Sequence, residues 1–85
     1  MKYHANFNAN NGTHWMNNEF SNNKNKLIAS VRETAEGERF ANGECSWSVY
    51  ETSTGRCVSA GGMHNNGRRY RIPESELCWY NLTVN

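Results

Sequence analysis

The sequence predicts an all-β fold with at most one short helical turn: a small antiparallel meander of six to seven strands forming a curled sheet, a barrel or a sandwich. Three observations predict it. Apolar residues recur with period two in four separate stretches, the pattern of a half-buried strand. Asn-Gly occurs at Asn11-Gly12, Asn42-Gly43 and Asn66-Gly67. That pair is the strongest short-range hairpin signal, because both residues tolerate positive φ. Leu, Ile, Val and Phe number only 12 of 85 residues, while Trp 3, Tyr 4 and Phe 3 supply the bulk, so the core leans on aromatics and Met. Disorder would need few aromatics and a high net charge, and here the charge is +1.

In order along the chain, Met1–Ala9 sets Tyr3, Ala5, Phe7 and Ala9 on one face against Lys2, His4, Asn6 and Asn8 on the other. A two-residue turn at Asn11-Gly12 places Phe7 opposite Met16 and Tyr3 opposite Phe20, apolar against apolar. Thr13–Lys24 reads as the return strand, with a short helix capped by Thr13 as the alternative. Its four Asn residues argue against the helix, since Asn favours caps and turns. Lys26–Glu33 alternates at Leu27, Ala29 and Val31, although Ile28 falls on the opposite face. Ala35-Glu36-Gly37 marks a turn. Cys45, Trp47 and Val49 form the next stripe. Thr52–Gly55 joins that strand to Arg56–Ala60, with Val49 facing Val58 and Trp47 facing Ala60.

A two-residue turn at Asn66-Gly67 sets Met63 against Tyr70 and Gly61 against Ile72. A bulge at Gly61-Gly62 is then needed to keep Val58, Ala60, Tyr70 and Ile72 on one face. Pro73-Glu74-Ser75-Glu76 has the look of a helix start. A last strand is expected where Cys78, Tyr80, Leu82 and Val84 alternate with Trp79, Asn81 and Thr83.

Length allows one domain, residues 1–85. All eight acids are Glu, so calcium loops and Asp-based triads or phosphoryl-transfer sites are excluded. With no apolar leader at Met1–Gly12 and no apolar run of membrane-spanning length, a cytoplasmic protein is expected. Three cysteines without a C-x-x-C pair fit reduced thiols better than a disulfide framework.

Chemistry is sparse. No Cys adjoins a His or opens a helix, so Cys45 and Cys78 read as strand filler rather than nucleophiles. The spacing of His4, His14, Cys57 and His64 matches no structural zinc site. The Glu residues between positions 33 and 44 read as a charge-balanced rim. No enzyme, metal or cofactor is therefore expected.

Two signals remain. Arg68, Arg69, Tyr70 and Arg71 form a basic stretch in which Arg69 and Arg71 project from the face opposite Tyr70. Arg56, Lys24 and Lys26 extend it. Three Trp residues form the second signal, with Trp79 set opposite its strand's apolar stripe and Trp15 beside the first turn; an outward Trp anchors an interface or stacks a base.

The expected function is that of a non-enzymatic interaction protein that binds and blocks or adapts a larger protein or nucleoprotein complex. This is the manner of the accessory proteins of phages and mobile elements that inhibit host defence, and it fits a monomer or homodimer. The alternative is a small β-barrel nucleic-acid-binding module that grips phosphates with Arg and stacks bases on Trp and Tyr. Against the alternative stands the net charge of +1, since dedicated nucleic-acid binders are basic overall.

Overall fold

The computed structural model describes residues 1–9, 14–39 and 43–82, with the backbone alone for 14–18. The N-terminal alternation builds β1 (Tyr3–Ala9) and β2 (His14–Ser21), an antiparallel pair in which Phe7 faces Met16 and Ala9 faces His14. That is the expected register, although the turn residues Asn11 and Gly12 lie outside the described ones. Beyond Phe7 the register slips: Ala5 faces Glu19, and Tyr3 meets Ser21 rather than Phe20. One extra residue on β2 sits between these pairs, a bulge that the alternation of β1 alone does not reveal.

Residues 26–33 are not a strand. Lys24–Glu38 form a 15-residue helix, α1, and the turn expected at Ala35-Glu36-Gly37 lies inside it. Leu27, Ala29 and Val31 satisfy period two only because the window is short. The wider set Leu27, Val31 and Ala35, at i, i+4 and i+8, is buried as one helical stripe, with Ile28 beside it. Asn23 caps the helix: its Oδ1 accepts the Lys26 N–H at 3.1 Å.

Cys45–Glu51 form β3 and Cys57–Met63 form β4. The loop between them is the expected Thr52–Gly55, closed by the Gly55 N–H on the Glu51 carbonyl at 2.8 Å and with Gly55 at φ 73°. Pairing differs by one from expectation, with Val49 opposite Ser59 and Trp47 opposite Gly61; the irregularity lies at Val49/Tyr50. β5 (Arg69–Arg71) follows a three-residue loop, Asn65-Asn66-Gly67, rather than a two-residue turn. The Gly67 N–H returns to the His64 carbonyl at 2.9 Å, Gly67 takes φ 85°, and the His64 N–H meets the Arg68 carbonyl at 2.9 Å. The extra loop residue moves Met63 onto Arg69 and Gly62 onto Tyr70. The faces therefore agree without the bulge expected at Gly61-Gly62.

The C-terminal stretch is not a strand through residue 80. Glu74–Tyr80 form a 3-10 helix that begins after Pro73, so the start signal at 73–76 is real but runs longer than one turn. Val84 and its two neighbours lie outside the described residues. The tail after the helix is tied down: the Leu82 N–H reaches the Gly55 carbonyl and the Cys57 N–H reaches Asn81 Oδ1, both at 2.8 Å.

The fold among the described residues is thus one open five-stranded antiparallel sheet, ordered β2-β1-β3-β4-β5, with α1 on one face. Mostly β is right; six to seven strands closing into a barrel or sandwich is not. The helix takes the residues that would have supplied a further strand. Its face of the sheet holds the main core, where Ala5, Phe7 and Ala9 meet Leu27, Val31 and Ala35 over Trp47 and Val49. Arg39 straps the helix end to the far loop, donating from Nε to the Gly43 carbonyl at 3.0 Å and from Nη2 to the Asn65 carbonyl at 3.4 Å. Among the described residues no helix is long and apolar enough to cross a membrane.

Candidate functional site

Strand alternation sends one set of side chains to the helix and the other set to the opposite face, which only the 3-10 helix partly covers. There Tyr50, Cys57 and Ala60 form a second small core under Ile72 and Leu77. Beside it the face opens into a groove of about 330 Å³. Two cross-strand pairs make the floor, Asn6 opposite Ser48 and Asn8 opposite Ser46. Tyr50, Tyr70, Ile72 and Tyr80 form the walls, and Leu82 closes one side.

Gly62 makes the wall possible. A Cβ there would meet Tyr70 Oη at 2.6 Å and Cζ at 2.8 Å, so the phenol ring lies down over a position that only glycine leaves empty. Tyr70 is also stacked on His64, with ring centroids 4.6 Å apart. At the other end His4 stacks on Tyr50 at 5.3 Å, and burial depresses the His4 imidazole.

The groove is electrically neutral. No charged side chain lines it among the described residues. Burial raises the phenols of Tyr50 and Tyr70, so both stay protonated at neutral pH. Yet its floor is not satisfied: Asn6, 9% exposed, and Asn8 each hold a carboxamide oxygen that is shielded from solvent and, among the described residues, has no hydrogen-bond donor.

The basic residues lie elsewhere and do not form one patch. Arg69 and Arg71 do project opposite Tyr70, as expected, but that is the side covered by the helix. Arg69 makes a two-pronged pair with Glu36 of α1, Nε to Oε1 at 2.7 Å and Nη2 to Oε2 at 3.0 Å. These hydrogen bonds hold the Glu36 carboxyl below its ordinary range. Arg71 donates to Ser59 Oγ at 3.0 Å and lies 5.2 Å above the Trp47 ring. Arg56 sits 3.8 Å from Glu51. Arg68 is exposed, and its backbone N–H donates to Asn66 Oδ1. Lys24 and Lys26 lie in the first turn of α1, about 15–18 Å along the axis from Glu36 and hence from Arg69.

Of the aromatic signal, Trp79 is 74% exposed on the 3-10 helix, whereas for Trp15 the backbone places it opposite Asn8 on β2. The sequence reading missed Asn6, Asn8, Ser46 and Ser48, which alternation assigns to solvent. The available signal was the matched spacing: two Asn at i and i+2 on one strand face two Ser at i and i+2 on another.

The buried thiols offer little reactivity. Burial raises both Cys45 and Cys57 above the ordinary thiol value, away from the thiolate form. Among the described residues no three His, Cys or Glu side chains gather as a metal site.

The chain matches no known protein family, and comparison with curated proteins and with solved structures likewise finds no match.

Proposed function

We propose that this chain is a non-enzymatic interaction protein that docks on a larger protein or nucleoprotein assembly through the sheet face away from the helix and blocks or adapts it. One observation carries the reading. Three large side chains left in water lie within four residues on the C-terminal segment, Trp79 at 74%, Tyr80 at 42% and Leu82 at 38% exposure, and the last two line the groove. Trp and Tyr are among the residues most enriched at the hot spots of protein interfaces. The direct nucleic-acid alternative is less well served. Base stacking needs aromatics and cations on one surface, and here Arg69 and Arg71 lie across the sheet from Tyr70.

The test is capture of a partner from lysate by the tagged protein, with and without nuclease, using wild type, the pair Trp79→Ala/Tyr80→Ala, and the pair Arg69→Glu/Arg71→Glu. The expected result is a discrete partner that survives nuclease and is lost with the aromatic pair. Capture that vanishes with nuclease and with the Arg pair, but survives the aromatic pair, would overturn the reading in favour of nucleic acid.

A further inference from the structure

We infer that the groove over Asn6, Asn8, Ser46 and Ser48 is a binding site for a neutral, hydroxyl-bearing ring, in chemical terms a hexopyranose unit of a sugar or glycan. The inference does not depend on the protein-docking reading, although the two share Tyr80 and Leu82 at the rim.

The floor is the first argument. Buried carbonyl oxygens in folded proteins nearly always have a donor, and each exception calls for an explanation. Here two exceptions stand side by side on one strand, the shielded Asn6 Oδ1 and Asn8 Oδ1, both on residues that line the same groove. Their Cα atoms are roughly 6.6 Å apart at the strand rise. One ring bearing donors on opposite edges is of a size to meet two groups at that spacing. The terminal carboxamide torsion is soft and nearly two-fold, so a half-turn presents either oxygen to an occupant. Each carboxamide also brings two N–H donors, and Ser46 and Ser48 each bring a hydroxyl that both donates and accepts. A mixed donor and acceptor grid of this kind suits hydroxyl groups, which are themselves both.

The walls are the second argument. Tyr70, Ile72 and Tyr80 offer apolar surface to the carbon face of a ring. A volume of about 330 Å³ lies at the small end of ligand sites, with room for a ring rather than a long chain. Charge decides among ligands. Among the described residues the lining has no cation to hold a phosphate and no carboxylate or imidazole to hold a metal ion or an ammonium group.

The experiment is an amide NMR titration of the purified full chain with methyl glucoside, methyl galactoside, methyl mannoside and N-acetylglucosamine at millimolar concentration, with adenosine and inorganic phosphate in parallel. The expected result is saturable shifts at Asn6, Asn8, Ser46 and Ser48 with at least one sugar and none with phosphate. Asn6→Ala/Asn8→Ala is expected to weaken that binding at least tenfold. Tyr80→Ala, an exposed change that leaves the strands intact, is expected to weaken it several-fold and serves if the Asn pair does not fold. The inference is overturned if no sugar gives saturable shifts in the groove, if adenosine binds there and the sugars do not, or if well-folded variants bind as tightly as wild type. Because no partner protein is present, failure here leaves the docking reading standing.

Discussion

Two glycines in this chain should respond in opposite directions to the same added methyl group. At Gly62 a Cβ would press on Tyr70 Oη at 2.6 Å and Cζ at 2.8 Å, and still harder on the carbonyl oxygen of Cys45. The tyrosine can swing away, but the carbonyl belongs to the neighbouring strand and cannot move without parting β3 from β4. Overpacking costs about 1–3 kcal/mol, and a backbone obstruction puts Gly62→Ala near 3 kcal/mol. At roughly 4–8 °C per kcal/mol for a domain of this size, the melting temperature falls by about 12–24 °C. At Gly37, in the last turn of α1, a Cβ meets nothing within 4 Å. Removing backbone freedom from the unfolded chain there gains about 0.5 kcal/mol and at most 1, a rise of roughly 2–8 °C. Urea unfolding followed by Trp fluorescence, with thermal melts by circular dichroism, reads both. The reasoning fails if Gly62→Ala unfolds within 0.5 kcal/mol of wild type, or if Gly37→Ala is the more damaging of the two.

Other outcomes follow from the same packing. Asn23→Ala removes the helix cap and should cost about 1 kcal/mol, whereas Asn23→Asp should retain most of the stability, read from urea midpoints. Val31, fully buried between helix and sheet, should lose about 2–3 kcal/mol as Val31→Ala, from two lost methyl groups and the cavity they leave. The Glu36–Arg69 pair carries a pH signature. Glu36 titrates below its ordinary 4.5 when folded, so its contribution is present above that value and is lost as pH falls through the folded one. Arg69 is largely exposed and Glu36 partly so, which keeps the effect small. It should appear as a stability advantage of wild type over Glu36→Gln that disappears in acid. His4, depressed by burial, destabilises the fold from about pH 6.5 downward in both proteins and cancels in the comparison.

How much of this fold was legible depends on how far each signal extends. The first hairpin was readable because turn and alternation agree over nine residues, and Phe7 does face Met16. Its bulge was not, since β1 alternates without a break and the extra residue lies in the Asn-rich return strand. The helix was lost in a short window, where Leu27, Ala29 and Val31 mimic a strand. Adding Ala35 restores the helical period, but the cap residue Asn23 is one of 14 Asn and carries little information by itself. The loop at 65–67 shows a different limit: Asn-Gly marks a turn but not its length, and one residue decides which side chains share a face. At the candidate site, the exposure of Trp79 was readable in outline. The burial of Asn6 and of the Asn8 carboxamide oxygen was not, because alternation does not show that β1 lies inside the sheet between β2 and β3.

The groove floor lies on the join between β1 and β3, whose seven residue pairs unite the part of the chain before residue 39 with the part after 43. One part supplies Asn6 and Asn8 and the other Ser48 and Ser46, while the helix spans the same join on the reverse side. Closing that ladder is the long-range step of folding, because the hairpins on either side form from near neighbours. Neither part alone possesses the floor. Any molecule gripping both rows recognises only the closed ladder and stabilises it in proportion to RT ln(1 + [L]/Kd). Occupancy of the groove would thereby act as a clamp on the meeting of the two halves, coupling assembly of the chain to what it holds.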